Sequence, residues 1–423
     1  MRGQLVTVPA GEGTLHAVVS DSGQRVQGAA WSPDGKTIAY ISDASGEEQI
    51  WLADPNGANA PKQLTKDLKG EHSAPAWSPD GKYLLIGDRE TTIQLIDAKT
   101  GVVKTVAHSN WSTEYDQVTT DFVFSPDSKW VALSEAGPSF ISQAYLYNIE
   151  SGVSTPLTDP TMNSQGVAFS TDGLYLYFLQ LRDLSVAEDP VSNMILHKYQ
   201  SKLTAIALAT ATRTPFPAKN DEENDAAKAE TPADPKKMRV DIDGISDRLF
   251  DMKAPAGDYT GVVAEAGRVL LQTATGLSAY DIASKTLTLL SPGASSANLS
   301  ADGKKLLVAG AAGPQVLDAM TGPFPPTAGL VKLAGLTITV DPVAEWKQIF
   351  HESWRVGRDF FYDPNMHGVN WNAVRAKYEA QLPLVGDRAD LTRLLSDMVS
   401  ELNTGHCFVG GPTPFSQRAP RDA

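Results

Sequence analysis

Polar and apolar residues alternate over short runs in most of the N-terminal three quarters of the chain. Runs such as 37–41 and 93–97 place every second side chain on one face, which is the pattern of a half-buried β-strand. Pro, Asp, Asn and Gly, the residues that form tight turns, separate these runs. The pattern predicts many short strands joined by turns.

One motif recurs along this strand-rich region. Trp31-Ser-Pro-Asp-Gly-Lys36 returns at intervals of about 46 residues and then once more after a longer gap. In each copy an apolar residue ends one strand, a tight turn follows, and an alternating run begins the next strand. The copies begin at Trp31, Trp77, Phe124, Phe169 and Leu299. Repeats of this length with four short strands each predict the blades of a β-propeller.

The number of blades follows from these copies and from three weaker segments. The gap before the last copy contains the segments 243–249 and 262–280, which we interpret as a further blade without the motif. The run 4–8 is interpreted as a late strand of one more blade, whose inner strands are missing. We therefore expect residues 1–335 to form a seven-bladed propeller with one incomplete blade. Residues 217–237, rich in charged residues, Ala and Pro, are expected to be a mobile acidic insertion.

Near residue 340 the spacing of apolar residues changes from two to 3.6 residues, the period of an amphipathic helix. Asp341-Pro342 is a helix-start signal, and two further helices are predicted after Asn370 and Asp387. The residues of the first apolar stripe are Trp346, Phe350, Trp354 and Phe361. We expect residues 336–423 to form a small α-helical domain, so that the chain is mainly β with a helical C-terminal part.

Composition and charge narrow the classes of function. The 423 residues carry 36 Lys and Arg against 50 Asp and Glu, a net charge of −14. Proteins that bind nucleic acid instead concentrate basic residues on one face. No apolar run reaches the roughly 18 residues of a membrane-spanning helix, and the first residues lack the apolar core of a signal peptide. We therefore expect a cytoplasmic protein that binds neither nucleic acid nor membranes.

The sequence carries no recognisable cofactor or metal motif. The single cysteine, Cys407, rules out an intrachain disulfide and a multi-cysteine metal site. His351-Glu352 matches the start of the zinc-binding pattern His-Glu-x-x-His, but Arg355 occupies the fifth position. Glycine-rich nucleotide-binding motifs do not occur. The prediction is no cofactor and no metal.

The recurring motif resembles the propeller repeat of the Tricorn and TolB type. The helical part resembles the first catalytic-core domain of Tricorn-type serine peptidases. Four segments carry this second resemblance: Glu345-Trp-Lys-Gln-Ile-Phe-His-Glu-Ser-Trp354, Arg358-Asp-Phe-Phe-Tyr-Asp-Pro-Asn-Met-His-Gly368, Asp387-Arg-Ala-Asp-Leu391 and Glu401-Leu-Asn-Thr-Gly-His-Cys-Phe-Val-Gly-Gly411. Together the resemblances imply the second propeller and the first catalytic-core domain of such a peptidase.

This resemblance implies a hydrolase that cleaves short peptides, with His406 as its general base. In the family, the nucleophilic serine lies in a later domain, after a PDZ domain, so the resemblance implies that the chain is truncated before both. Because a serine hydroxyl needs a base and oxyanion donors to react, we expect the chain alone to be inactive. Its expected partners are short peptides or unfolded segments, the PDZ and serine-bearing core, or further copies of itself.

Two alternatives stay open at this point. Position alone favours His406 as a residue that caps the preceding helix, whose C-terminal end attracts a positive charge. The propeller could also act as a non-catalytic module that binds a peptide or protein, which peptide binding without turnover would reveal. His367 lies in the turn-forming run 363–368, and we expect it to order that loop rather than to perform chemistry.

Overall fold

The computed structural model describes residues 3–109, 121–189, 194–216, 234–405 and 407–410. Within these ranges, strands dominate as far as Asp318, and three α-helices follow from Pro342 onward. The mainly β class with a small helical part at its C-terminal side is thereby confirmed. Of the predicted acidic insertion, residues 217–233 lie outside the described ranges, and Pro235–Lys237 forms a short 3-10 turn.

Strands consecutive in the chain pair antiparallel, and each blade is a sheet of neighbouring strands. Blade one comprises β3 (Val26–Trp31), β4 (Ile38–Ser42), β5 (Gln49–Ala53) and β6 (Lys62–Gln63). Blade two comprises β7 (Ala76–Trp77), β8 (Tyr83–Gly87), β9 (Thr92–Asp97) and β10 (Val103–His108). Blade three comprises β11 (Phe122–Phe124), β12 (Trp130–Ala136), β13 (Ser142–Asn148) and β14 (Ser154–Pro156).

The second half of the propeller repeats this order. Blade four comprises β15 (Ser164–Phe169), β16 (Tyr175–Asp189), β17 (Met194–Ala207) and β18 (Leu249–Asp251). Blade five comprises β19 (Tyr259–Glu265), β20 (Arg268–Thr273), β21 (Gly276–Asp281) and β22 (Thr286–Pro292). Blade six has three strands, β23 (Ala297–Leu299), β24 (Lys305–Gly310) and β25 (Gly313–Asp318).

The predicted count of seven blades is wrong, because the described residues form six. The run 4–8 does supply a strand, β1 (Leu5–Thr7), but its one partner among the described strands is β2 (His16–Val19), in a two-stranded ribbon. Without inner strands this ribbon cannot form a blade, and its Val18 and Val19 pack instead against blade one. The segment 243–249 was also assigned to the wrong blade, since it leads into β18, the outermost strand of blade four.

The recurring motif forms the turn between the first and second strand of a blade. In blade one the Ser32 hydroxyl donates to Asp34 Oδ1 at 2.7 Å and accepts the Thr37 N–H at 3.0 Å. Gly35 adopts a left-handed φ of 69°, which favours glycine. The same Ser-to-Asp bond recurs at Ser78, Ser125, Ser170 and Ser300. The motif is therefore a turn closed by its own side chains.

Buried apolar side chains fill the space between consecutive blades. Five clusters in the described part each join one blade to the next, and we call these contacts the blade seams. Phe178, which is fully buried, lies in the seam between blades three and four. First strands of neighbouring blades, such as β11, β15 and β19, contact one another, so they are the innermost strands.

The helical part contains α1 (Pro342–Phe360), α2 (Trp371–Glu379) and α3 (Arg388–Ser400). Each starts as its sequence indicates, because the side chains of Asp341, Asn370 and Asp387 accept backbone N–H groups of the first turn. One apolar cluster joins all three helices around Phe350 and Leu391, both fully buried. The described helices include none that is long and apolar enough to cross a membrane.

Candidate functional site

The predicted base, His406, lies outside the described residues. The residues on both sides of it, Gly405 and Cys407, are described and lie just beyond the C-terminal end of α3. The described residues nearest to His406 in sequence therefore belong to the segment that follows α3.

Two apolar residues fix the segment that contains this site. Leu402 is 1% exposed and packs into the core of the helical part, and Val409 packs against the same core. Between them, Asn403 adopts a left-handed φ of 47°, a conformation that asparagine tolerates better than most residues and that ends the helix. Of the described residues between these two anchors, Thr404 is half-buried and Asn403, Gly405, Cys407 and Phe408 are exposed.

A depression of about 580 Å³ opens to solvent along this segment. Small and polar residues form much of it, and the exposed Cys407 and Phe408 line one side. The lining residues are Ser396, Val399, Ser400, Asn403, Thr404, Gly405, Cys407, Phe408 and Val409. Because Gly405 and Cys407 both line it, a ligand in the depression would contact the chain on either side of His406.

His367 ties a neighbouring loop to the end of α3. Its Nδ1 lies 2.9 Å from the carbonyl oxygen of Leu402, which can only accept, so Nδ1 carries the proton and donates. Its Nε2 is hydrogen-bonded to the Tyr362 hydroxyl. Backbone N–H groups of Asn365 and His367 donate to Asp363 and hold the pKa of that carboxyl below its usual value. The prediction that His367 orders its loop is confirmed.

A charged contact joins α2 to the other side of the site. Lys377 Nζ lies 2.5 Å from Glu401 Oε1, and the Tyr378 hydroxyl donates to the same oxygen at 2.8 Å. The Lys377 hydrogen bond, followed by that of Tyr378, lowers the pKa of Glu401. Glu401 therefore stays ionised at neutral pH and holds α2 against the residue that ends α3.

A second set of charged residues holds α1 on the propeller, and we call it the α1–propeller contact. Arg355 Nη2 donates to Asp43 Oδ2 at 2.5 Å, and Gln348 Nε2 donates to the same oxygen at 3.0 Å. Arg358 makes two bonds to Glu47, at 2.7 and 2.8 Å. The Asp43 side chain is only 4% exposed, so this carboxylate is a nearly buried centre of the contact.

This contact was not foreseen from the sequence. Arg355 and Arg358 stand three residues apart, which places them on one face of α1. This spacing is the feature of the sequence that indicates a charged face on the helix. Their partners lie in the turn between β4 and β5, about three hundred residues away along the chain, a separation that only the folded structure reveals.

His351, the residue that opens the incomplete zinc pattern, has a carboxylate partner. Its Nε2 lies 2.9 Å from Glu379 Oε1 across α1 and α2. Within the part of the chain that the structure describes, no three His, Cys, Asp or Glu residues come together as a metal site. The arrangement at His351 is thus a contact between two helices.

Comparisons with known proteins cover both parts of the chain. Residues 1–319 match the model of the Tricorn protease second beta propeller domain, and residues 342–400 match that of the Tricorn protease C1 domain. The crystal structure of the tricorn protease superposes with a TM-score of 0.80 at 19% identity, covering 97% of this chain and 40% of that one. At this identity the superposition shows a shared fold.

Curated relatives are considerably longer than this chain. Tricorn protease homolog 1 of Streptomyces coelicolor is 27% identical over 416 residues, which cover 91% of this chain and 38% of the relative. A protein of Sulfurisphaera tokodaii, named as a Tricorn-like protease C-terminal subunit, is 26% identical over 96% of this chain and 47% of its own length. The chain thus spans less than half of either relative. Because the propeller model alone matches most of its residues, the chain belongs to the Tricorn protease family.

Proposed function

We propose that this chain forms the propeller and the base-bearing part of a serine peptidase that hydrolyses short peptides, with His406 as the general base. One observation carries the proposal. The residues on both sides of His406 line an open depression of about 580 Å³ beside the end of α3. A peptide bound there would contact the chain on both sides of His406, and general-base catalysis requires a base within hydrogen-bond reach of the reacting group.

In the proposed reaction, the base works together with a nucleophile and with oxyanion donors. A base removes the proton of a serine hydroxyl as the oxygen attacks the peptide carbonyl, and nearby N–H donors stabilise the oxyanion that forms. The family resemblance assigns the serine and the oxyanion donors to a later domain. We therefore expect this chain to hydrolyse peptides only when that serine-bearing part docks against it.

Several described contacts would serve such a base. Leu402 and Val409 anchor the chain in the helical core before and after the site. The hydrogen bond from His367 to the Leu402 carbonyl braces the last turn before the site. The α1–propeller contact fixes the whole helical part on the propeller. A base held this way loses little freedom when the serine-bearing part arrives.

A reconstitution experiment tests the proposal. The 423-residue chain is mixed with the part of the Streptomyces coelicolor relative that follows the matched region, and hydrolysis of a fluorogenic tripeptide is measured. We expect no hydrolysis by either piece and measurable hydrolysis by the mixture. His406→Ala should lower the restored rate by at least about 10³-fold, because the serine loses its base.

His108→Ala is the matched control. His108 is an exposed histidine on the outermost strand of blade two, and we expect its replacement to leave the restored rate unchanged. Hydrolysis by the lone chain, or a restored rate indifferent to His406→Ala, would contradict the proposal. A mixture whose pieces form a complex and bind the peptide without turnover would instead favour the non-catalytic binding module.

A further inference from the structure

Three consecutive residues between α1 and α2 adopt a left-handed backbone. Met366, His367 and Gly368 have φ angles of 52°, 53° and 80°. Glycine takes this conformation freely, but a Cβ atom makes it costly for the other two residues. Strain of this kind persists only where surrounding contacts fix the chain, and strained residues cluster at functional sites. The contacts of Met366 and His367 indicate what the strain achieves.

Contacts on both sides of His367 hold this turn in place. The Met366 side chain is buried and packs into the core of the three helices. Asp363 accepts the backbone N–H groups of Asn365 at 2.9 Å and of His367 at 3.0 Å. The Val369 N–H donates to the Met366 carbonyl at 3.0 Å. The backbone at His367 is therefore held by contacts that do not involve its imidazole.

This backbone directs the His367 imidazole at the end of α3. Its Nδ1–H donates to the Leu402 carbonyl at 2.9 Å, although the two residues are 35 positions apart in sequence. In the neutral ring Nε2 is then an acceptor, and the Tyr362 hydroxyl donates to it. The Phe361 ring packs edge-on against the imidazole, with 5.0 Å between the ring centres. Both ring nitrogens are therefore engaged in hydrogen bonds within the protein.

The carbonyl that His367 binds lies where the chain leaves α3. Leu402 is almost fully buried, and a buried carbonyl without a hydrogen bond is costly. Backbone carbonyls at a helix end lack an N–H partner within the helix. The next residue, Asn403, turns the chain with its left-handed φ. The imidazole thus provides, from another loop, a hydrogen bond to the backbone directly before this turn.

A second element holds the end of α3 in a different way. Lys377 and Tyr378 of α2 bind the Glu401 carboxylate. That contact acts on a flexible side chain, whereas the bond from His367 acts on the backbone of the next residue. A bond to the backbone carbonyl restrains the peptide unit between Leu402 and Asn403, and this peptide unit determines the direction in which the chain continues.

We propose that His367 is a positioning residue, whose Nδ1–H fixes the direction in which the chain leaves α3 and thereby the placement of the candidate base His406. His406 follows Leu402 by four residues. The inference rests on the proposed function and deepens it by assigning a second histidine to the same site. His367 itself transfers no proton, because Leu402 and Tyr362 engage its two nitrogens. The strained turn holds the imidazole in the required direction.

Amide hydrogen exchange of the full 423-residue chain, followed by mass spectrometry, tests the positioning without any hydrolysis. The N–H groups of Leu402 and Asn403 donate to carbonyls of Val399 and Ser400 in the last turn of α3, so their exchange reports how firmly the chain is held there. Glycine accepts a left-handed turn, so His367→Gly removes the imidazole without adding strain. We expect this variant to accelerate exchange in residues 401–405 by about fivefold or more.

His367→Asn is the matched variant that restores the donor. The Asn side chain carries its Nδ2 amide where the histidine carries Nδ1, and asparagine tolerates a left-handed φ better than most residues. We expect its exchange in residues 401–405 to stay within about twofold of the parent. Tyr362→Phe removes the other hydrogen bond of the same ring and leaves Nδ1 bonded to Leu402. Its exchange in residues 401–405 should also stay near that of the parent.

The reconstituted peptidase gives a second measurement. In the mixture with the later part of the Streptomyces coelicolor relative, His367→Gly should lower kcat by about tenfold or more and leave KM within about twofold of the parent. A displaced base slows the chemical step without weakening peptide binding. His367→Asn should recover most of kcat. Should His367→Gly fail to fold, His367→Asp takes its place, because an ionised aspartate has the shape of asparagine but no donor.

Three results would overturn the inference. The first is unchanged exchange in residues 401–405 of the variant without a donor, and the second is equal acceleration in that variant and in His367→Asn. The third is a kcat that depends on His406 but not on the donor at position 367, which would leave the proposed function intact. If the mixture hydrolyses no peptide, the proposed function fails instead, and the exchange measurements still decide whether His367 directs the end of α3.

Discussion

The blade seams and the α1–propeller contact hold neighbouring parts of one chain together by different means. Each blade seam consists of buried apolar side chains from two consecutive blades, many of them fully buried. The α1–propeller contact instead relies on Arg355, Arg358 and Gln348 bonded to Asp43 and Glu47. Apolar burial stabilises the fold in proportion to the surface area removed from water and does not depend on orientation. An ion pair must first offset the cost of removing its charges from water, and it requires a fixed geometry.

This difference affects how the two contacts respond to change. A blade seam should weaken gradually as side chains are trimmed, because many contacts share the energy. The α1–propeller contact should weaken sharply when one charged partner is lost, since the other charge is then left with poor solvation. It should also respond to pH, to which an apolar seam is indifferent. The following predictions test these expectations, from the largest effect to the smallest.

Phe178→Ala should have the largest effect. The Phe178 side chain is fully buried in the seam between blades three and four, so its removal leaves a cavity between two sheets. We expect the free energy of unfolding to fall by about 3–5 kcal/mol, measured by urea denaturation. Phe178→Leu, which keeps most of the volume, should cost clearly less. Equal losses for both variants would show that the seam does not depend on packing.

Asp43→Ala should have the next largest effect, and a local one. It removes the acceptor of Arg355 and Gln348 and leaves a guanidinium that is 11% exposed without its carboxylate. Breaking a nearly buried pair costs about 3 kcal/mol. Because Asp43 joins α1 to the propeller, amide hydrogen exchange should accelerate in α1 and in the β4–β5 turn. The seam around Phe178 should keep its protection against exchange. Uniform acceleration across the propeller would contradict a separate α1–propeller contact.

The sequence allowed the blade seams to be predicted better than the α1–propeller contact. The run 37–41 identifies Ala39, Ile41 and their neighbours as strand residues, and the structure buries both in the seam between blades one and two. The side-chain-closed turn of the motif likewise marks where the second strand begins. Both signals are local and repeated, so each copy supports the others. The charged partners of α1 occur once and lie far apart in the chain.

The wrong predictions from the sequence also concern contacts between residues that lie far apart in the chain. The run 4–8 alternates like a blade strand, but whether it joins a blade depends on strands elsewhere, and it pairs only with β2. The segment 243–249 leads into β18, which is separated in sequence from its partner β17 by residues 208–248. The length of β16 and β17 was not predicted either, because how far a strand continues depends on its pairing with the other strand. Long-range pairing decided each case.

Lowering the pH should weaken the α1–propeller contact before it weakens the blade seams. The hydrogen bond from Arg358 lowers the pKa of Glu47 below its ordinary value of 4.5. A carboxyl whose pKa is lower in the folded state than in the unfolded state stabilises the fold at pH values above its unfolded pKa. That stabilisation is lost as the pH falls through the folded pKa. We therefore expect the α1–propeller contact to weaken below about pH 4.5. The measurement is amide hydrogen exchange, which should become faster in α1.

Glu47→Gln isolates this carboxyl from the others that titrate in the same range. Its stability should be lower than that of the parent at pH 7, and the difference should vanish at acid pH. We expect a difference of less than about 1 kcal/mol, because the Glu47 side chain is 41% exposed and water screens the pair. A difference that stays constant from pH 7 to the acid range would show that the charge of Glu47 is not what stabilises the contact.

Lys305→Met should have the smallest effect. It sharpens the comparison because it removes an ion pair that lies within one blade and does not connect two parts of the molecule. Lys305 Nζ lies 2.5 Å from Asp318 Oδ1, the same separation as between Arg355 and Asp43, but both residues are on blade six. Their side chains are 56% and 67% exposed, so water already solvates both charges. We expect a change below about 0.5 kcal/mol in the free energy of unfolding, measured beside Asp43→Ala in one urea series. If the two variants cost the same, burial of Asp43 contributes nothing, and the distinction between the α1–propeller contact and an ordinary surface pair fails.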